Sequence, residues 1–270
     1  MGLFDIIDEI AEAQIMKTDT GDNRIFGVMV GIVAKNYDEN MPGRVCVTIP
    51  VRDANANELQ WARVSMLSHG KGWGHYFQPE IGDQVLLAFE QGNIEKPYVI
   101  GCIAQDNSTF LRRVVDKDNQ YKKITTKNGN TILFEDNMEG EGEKDKITIQ
   151  TAKESHVLVM DNENKKIILS DEKKENMIEM KTEDGQMTIK AAQKLTINVG
   201  DNITLTMNGS NGGVTLECDK LTVKTTGNTT VEASGSLNAS GSNVKMEATS
   251  MLKLSSSSVA SIEGSPIKIG

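Results

Sequence analysis

From residue 135 to residue 270 the chain contains no aromatic side chain, whereas all its Phe, Tyr and Trp residues, from Phe4 to Phe134, lie ahead of that point. Globular cores draw much of their buried area from aromatic rings, so half of this chain must be held together by other means. That half has no proline before Pro266 and is rich in Thr, Ser, Asn, Gly and Lys, a polarity at which many chains cannot offset their conformational entropy. Its patterning argues for order. Short alternating segments recur: Ile147/Ile149, Ile167/Leu169, Ile178/Met180, Met187/Ile189, Leu195/Ile197/Val199, Ile203/Leu205/Met207, Val214/Leu216 and Leu221/Val223. The series continues through Val231/Ala233, Leu237/Ala239, Val244/Met246/Ala248, Leu252/Leu254 and Ile267/Ile269. Period-two alternation marks half-buried strands, and the joints hold Asn, Gly, Asp and Ser. A short, regular spacing makes this a repeat architecture.

Each such strand offers two or three apolar side chains on one face. A single chain folded this way leaves sheet edges open and a narrow, wet core. Three copies wound round a common axis remove both problems, with strands pairing to strands of the sister copies and Ile, Val, Leu and Met meeting at the axis. About fifteen strand layers at roughly 4.8 Å each make a rod on the order of 70 Å long. The competing readings are a monomeric solenoid and a loosely ordered linker. Toward the end the apolar residues shrink and Ser256, Ser257 and Ser258 crowd together, so the rod is expected to taper to a tip.

The first half reads differently. Leu3, Ile6, Ile7 and Ile10 stand at helical spacing with Asp5, Asp8, Glu9 and Glu12 on the other side, an amphipathic helix with its acids at the positive end of the helix dipole. It docks either on a partner or on its own domain. From Ile25 to Gln105 the strands lengthen and gain aromatics, and five of them joined by turns point to a small Greek-key barrel of the OB type. The expected fold is therefore all-β. A helical docking segment occupies 1–24, an OB-fold barrel 25–108, a neck 109–145, and an intertwined trimeric β-helix needle with a C-terminal tip 146–270.

Charge and residue types narrow the function. A formal net charge of −9 opposes a phosphate-binding surface, which is built on Lys and Arg. Cys46, Cys102 and Cys218 are far apart, with no Cys-x-x-Cys and no neighbouring His, and read as three reduced thiols. His69 and His75 flank a glycine-rich stretch without the context of a phosphate loop, and His156 stands alone. No cofactor, metal or catalytic residue is expected. The start carries Asp5, Asp8 and Glu9 where a signal peptide is basic, so the chain is expected to be made in the cytoplasm and exported by another route.

The barrel residues carry a resemblance. Gly43-Arg44-Val45 with Val47 and Pro50, Trp61-Ala62-Arg63-Val64, Gly72-Trp73-Gly74, Phe77-Gln78-Pro79 and Ile81-Gly82-Asp83-Gln84-Val85-Leu86, then Phe89, Gly92, Pro97 and Gly101, follow one another as in the barrel domain of VgrG proteins and of the phage baseplate assembly protein V. Thr126-Lys127-Asn128-Gly129-Asn130 with Ile132, Phe134 and Asp136 is similar to the neck where that family's barrel passes into its needle. The resemblance implies a homotrimeric central spike of a contractile injection system (phage tail, tailocin, type VI secretion or extracellular injector). Such a spike sits at the centre of the baseplate, is driven outward when the sheath contracts, and breaches the target membrane in passing.

Departures from the family refine the expectation. Only about 25 residues precede the barrel where VgrG proteins carry a large hub, so the hub is expected to be a separate protein at the N-terminal end. The stretch from Phe110 to Lys123 is too short for an inserted lysozyme domain, and no histidine follows His156 to hold iron at the tip. The ending Pro266, Ile267, Lys268, Ile269 and Gly270 instead suits a separate PAAR-type cap. Two other function classes remain beside this one: a parallel β-helix enzyme acting on polysaccharide, and an OB-type nucleic-acid-binding protein, which the acidic charge opposes.

Overall fold

The computed structural model describes residues 24–49 and 60–268. The expected N-terminal helix lies outside the described residues, as do Pro50, Ile269 and Gly270. The chain divides into two units at Gln193 and Lys194, and each is described by itself.

Seven strands open the first unit: β1 (Met29–Lys35), β2 (Arg44–Thr48), β3 (Gln60–Val64), the two-residue pair β4 (His69–Gly70) and β5 (Trp73–Gly74), β6 (Gln84–Phe89) and β7 (Pro97–Ile103). Five of them close a barrel in the order β1-β2-β3-β7-β6. All its pairings are antiparallel except β3 with β7, where Arg63 faces Tyr98 and Val64 faces Val99. That is the five-stranded Greek-key closure of an OB fold, as the turn spacing foretold.

Alternation explains the barrel core. Val33, Val45, Val47, Ala62, Val85, Leu87 and Val99 point inward and are buried, joined by Ile49 and Ile94. Valine dominates because its branched side chain packs well on a pleated surface and loses little rotamer freedom there. Gly31, also buried, faces in from β1, where a Cβ would stand 2.7 Å from Leu87 Cδ1 and 3.3 Å from the Thr48 carbonyl. The wall of the barrel therefore closes on a missing side chain. Gly82 turns into β6 at φ 92°. Its N–H donates to Val33, while Val33 donates back to Asp83 and the Asp83 carboxylate accepts from the Glu80 N–H.

Past β7 a single helical turn, α1 (Leu111–Val114), leads into a meander of seven strands. They are β8 (Tyr121–Thr125), β9 (Thr131–Glu135), β10 (Lys146–Gln150), β11 (His156–Asp161), β12 (Lys166–Asp171), β13 (Met177–Lys181) and β14 (Gln186–Lys190). Each pairs antiparallel with its sequence neighbour. The second unit repeats the scheme with β15 (Lys194–Val199), β16 (Ile203–Asn208) and β17 (Gly213–Glu217). Residues 219–268 form no strand, and every one of them is exposed.

The expectation that these strands pair with those of sister copies is thus not what residues 121–217 do: their ladders close within one chain. The reason is local. Asp161 and Asp171 accept from backbone N–H groups three to five residues ahead, which folds the chain back tightly enough for an in-chain hairpin. The turns are also tied to one another. Asn162 donates to Asp145 and Thr182 to Lys165 on one edge of the sheet; on the other, Glu172 donates to Ser155, while Ala152 and Ala192 donate to the side chains of Asn130 and Asn176. Strands β8 and β9 belong to the same sheet, although they fall in the stretch read as a neck. Antiparallel ladders throughout are foreign to a parallel β-helix enzyme, which weakens that alternative.

One row along the sheet is charged with alternating sign, Glu135, Lys146, Asp161 and Lys166. Lys146 Nζ lies 4.0 Å from Glu135 and 3.8 Å from Asp161. Burial pushes the Asp161 carboxyl up, but the backbone and side-chain donors of Asn164 and the Lys146 ammonium outweigh it and hold the group below the ordinary aspartate range.

Three outcomes are expected. Gly31→Val forces Leu87 aside and costs the barrel about 1–3 kcal/mol in denaturant melts. Gly101→Ala, on β7 with nothing within 4 Å of the added carbon, changes stability by less than about 0.5 kcal/mol. Asp161 has a lowered folded pKa, so its contribution is fully present above the unfolded value of about 3.9 and is lost as pH falls through the folded one. Urea midpoints of Asp161→Asn measured against pH should accordingly show a shallower acid limb than wild type.

Candidate assembly surface

Cross-strand partners in an antiparallel sheet share a face, so the register alone assembles the main surface. On one face of the seven-stranded sheet, Ile124, Ile132, Ile149, Leu158, Leu169, Ile178 and Ile189 stand side by side in one row. The parallel row reads Lys122, Phe134, Ile147, Met160, Ile167, Met180 and Met187. Apart from Lys122 at one end, two complete rows are apolar across all the strands, a length of about 29 Å at the usual strand spacing.

The other face mixes the charged row with Lys123, Thr148, Glu179 and Thr188, among which Leu133, Val159 and Ile168 are interspersed. The apolar rows lie open: Ile124 is 47 % exposed, Leu169 49 % and Ile189 51 %. Scattered surface leucines need no explanation, but a contiguous apolar band of this length marks an interaction surface.

The second unit carries the same device. Leu195, Met207 and Val214 form one row and Ile197, Leu205 and Leu216 the next, while the reverse face holds Thr196, Thr206, Thr215, Asn198, Thr204 and Glu217. Here the two faces separate cleanly into apolar and polar.

The barrel meets the head of the long ladder. Phe77, on the segment after β5, borders a groove of about 490 Å³ with Ile124, Ile132, Ile149, Leu158 and Leu169. His75 stacks on Phe77 with ring centroids 4.7 Å apart, which gives this histidine a packing role. An ion pair between Lys127 and Glu80, at 2.9 Å, ties the β8–β9 turn to the barrel.

The barrel motif residues fall into separate groups. Gly43, at φ 76°, turns into β2, and Val45 enters the core. Gly82 and Asp83 bind β1 to β6, as described above. Pro79 is buried ahead of that turn, Phe89 packs against the core, and Gly101 sits in β7 opposite Leu86. Gly72 and Trp73 make the β4–β5 turn, where Trp73 is exposed. Arg44, Trp61 and Pro97 line one cleft on the outer barrel wall together with Arg63, Glu90, Glu95, Lys96 and Tyr98. Of the tip residues, Pro266, Ile267 and Lys268 are exposed.

Nothing in these groups assembles a reaction centre. Among the described residues no three His, Cys, Asp or Glu side chains converge as metal ligands, and no helix there is long and apolar enough to cross a membrane. All three cysteines are free; Cys46 is buried, and burial raises its thiol pKa against the pull of Lys35.

Sequence reasoning missed part of the ladder. Val157–Met160 escaped notice because β11 is apolar on both faces and shows no alternation, and Ile124 was not read as the start of the band. Tyr98, which joins Arg63 to Glu90, carried no signal in the sequence.

Comparison with known proteins bears on the barrel. Residues 29–103 match the type VI secretion system/phage-baseplate injector OB domain. The type VI secretion system spike proteins VgrG1a, VgrG1b and VgrG1c of Pseudomonas aeruginosa are each 34 % identical to this chain over 56 residues. That stretch is 21 % of this chain and 8–9 % of theirs, so the matched region spans less than a tenth of the length of these curated relatives. Residues 29–103 are thus similar, in sequence and in the closed five-stranded topology, to the type VI secretion system/phage-baseplate injector OB domain, and over 56 residues the chain is similar to VgrG spike proteins.

Proposed function

We propose that this chain is one subunit of a homotrimeric central spike at the baseplate of a contractile injection system. The apolar ladder carries the reading. One face of an isolated sheet with two full rows of Ile, Leu, Met and Phe has to be covered, and three copies turned toward a common axis cover all three faces at once. Each half-exposed Ile or Leu then recovers on the order of 1 kcal/mol. The injector OB barrel, contiguous with the head of the ladder, supports the same placement.

In this reading the barrels form a collar and the β8–β14 sheets of the three copies form a prism beside it. Residues 219–268 keep the alternation of Leu221/Val223, Val231/Ala233 and Val244/Met246 but form no strand pairing among the described residues. They are the part that winds with the sister copies into a β-helix needle and narrows to the tip. A separate hub protein engages the N-terminal end, and a PAAR-type cap engages Pro266, Ile267, Lys268, Ile269 and Gly270. The chain is made in the cytoplasm, assembled into the particle, and meets the target membrane only as it is driven through. It binds no nucleic acid and turns over no substrate in this role; its action is mechanical, and antiparallel ladders whose interior strands are hydrogen-bonded on both sides suit axial load.

Native mass in solution tests the reading. A particle of three times 29.5 kDa is expected for the wild type. Ile149→Lys combined with Leu158→Lys, in the middle of the ladder, should reduce it to single chains or abolish soluble protein, while Thr148→Lys on the reverse face leaves the trimer intact. A wild-type chain that stays single and folded at micromolar concentration overturns the proposal.

A further inference from the structure

A meander places its turns on the two edges of a sheet in alternation. In the seven-stranded sheet the turns 136–145, 162–165 and 182–185 lie on one edge, and 126–130, 151–155 and 172–176 on the other. Hydrogen bonds stack each set into a column. On the first edge Asn162 donates from its backbone to Asp145 at 3.0 Å and from its side chain to Gly142 at 2.9 Å, and Thr182 donates to Lys165 at 2.9 Å. On the second, Glu172 donates to Ser155 at 3.2 Å and Ala152 to the Asn130 side chain at 2.9 Å.

The two columns differ in charge. Turn 136–145 carries five acids and one lysine, 162–165 one of each, and 182–185 two acids, for a net charge of −6. The opposite edge carries Lys127, then Lys153 with Glu154, then two lysines and two glutamates, for a net charge of +1. Lys144 answers Glu139 at 2.7 Å, but among the described residues Glu141, Glu143, Glu183 and Asp184 form no ion pair. Across the sheet Lys127 is engaged by Glu80 at 2.9 Å, whereas Lys153, Lys173 and Lys174, all exposed, form none among the described residues.

We propose that the acidic turn column of one copy docks against the lysine-bearing column of the next, so that each corner of the trimer is a charged seam. The inference rests on the trimeric reading above and specifies how its copies meet. Three sheets that turn their apolar faces to a common axis bring unlike edges together at every corner, because the contacts of a cyclic trimer are heterologous. Successive turns on one edge stand two strand spacings apart, roughly 10 Å, and the two columns are offset by one spacing, roughly 5 Å. At equal height each turn of one copy therefore faces the gap between two turns of its neighbour. Glu163 comes level with the interval between Lys153 and Lys173, and Glu183 and Asp184 come just past Lys174. Glu154, Glu172 and Glu175 temper the lysine column without reversing its sign. Two acidic columns set against each other repel, so the same charges oppose any packing that joins like edges. Exposed pairs are individually weak, and their main effect is on which arrangement forms.

Charge reversal with rescue decides the matter, read as native mass on dilution of the full chain, with circular dichroism reporting that each variant keeps its strands. Reversing the acids alone (Glu141→Lys, Glu163→Lys, Glu183→Lys) or the lysines alone (Lys153→Glu, Lys173→Glu, Lys174→Glu) should raise the concentration at which the trimer half-dissociates about tenfold. Both sets in one chain should restore the wild-type value, because the seam is then complementary again with its signs exchanged. Refolded together with the wild type, that combined variant should assemble only with its own kind, since every corner between the two chains sets like charges face to face. Four results overturn the proposal: dissociation indifferent to either reversal, a combined variant weaker than both single sets, free mixing with the wild type, or a wild-type trimer that falls apart in EDTA, which assigns the acids to a divalent cation. All four leave the trimer itself standing, whereas a wild-type chain that stays single removes the trimer and the seam together.

Discussion

Everything in this molecule beyond the barrel depends on one mismatch: antiparallel hairpins satisfy their backbone hydrogen bonds within a single chain but leave a band of apolar side chains half in water. The two rows from Ile124 to Ile189 and from Phe134 to Met187 are too regular to be surface accident. Hydrogen bonding is already complete along the interior strands, so association driven by this face gains apolar burial without having to exchange ladders. That separates the sheet from the last fifty described residues, which form no strand and lie exposed.

The barrel obeys the opposite logic. Its core is closed, valine-rich and sealed by the parallel contact of β3 with β7, and a glycine stands where any side chain would strike Leu87. A closed barrel has no sheet edge to extend, so its connection to the sheet is made by particular groups. Phe77 reaches the head of the ladder and Lys127 reaches back to Glu80. The barrel thus caps the apolar band at one end instead of continuing it.

Much of this was legible in the sequence, and the parts that were not share a cause. Alternation gave the barrel strands because Val45/Val47 and Val85/Leu87 bury one face only, and the turn at Gly82-Asp83 showed where β6 starts. The ladder was legible as a list of strands, since Ile147/Ile149 and Ile178/Met180 keep strict period two. Which strands pair is a different matter, because a period-two pattern records faces and carries no information about neighbours. Inter-chain pairing was therefore expected where the turns in fact close in-chain hairpins. The decisive residues were Asp161 and Asp171, whose side chains cap the chain reversal.

The same limit explains the cleft on the barrel wall. Arg44 and Arg63 lie nineteen positions apart in the sequence and are read there as members of two separate motifs; only the β2–β3 register sets them face to face. A like-charged pair costs stability where it stands, and Tyr98 relieves only one of its members. Among the described residues Arg44 pairs with no carboxylate, on a chain whose overall charge is strongly negative.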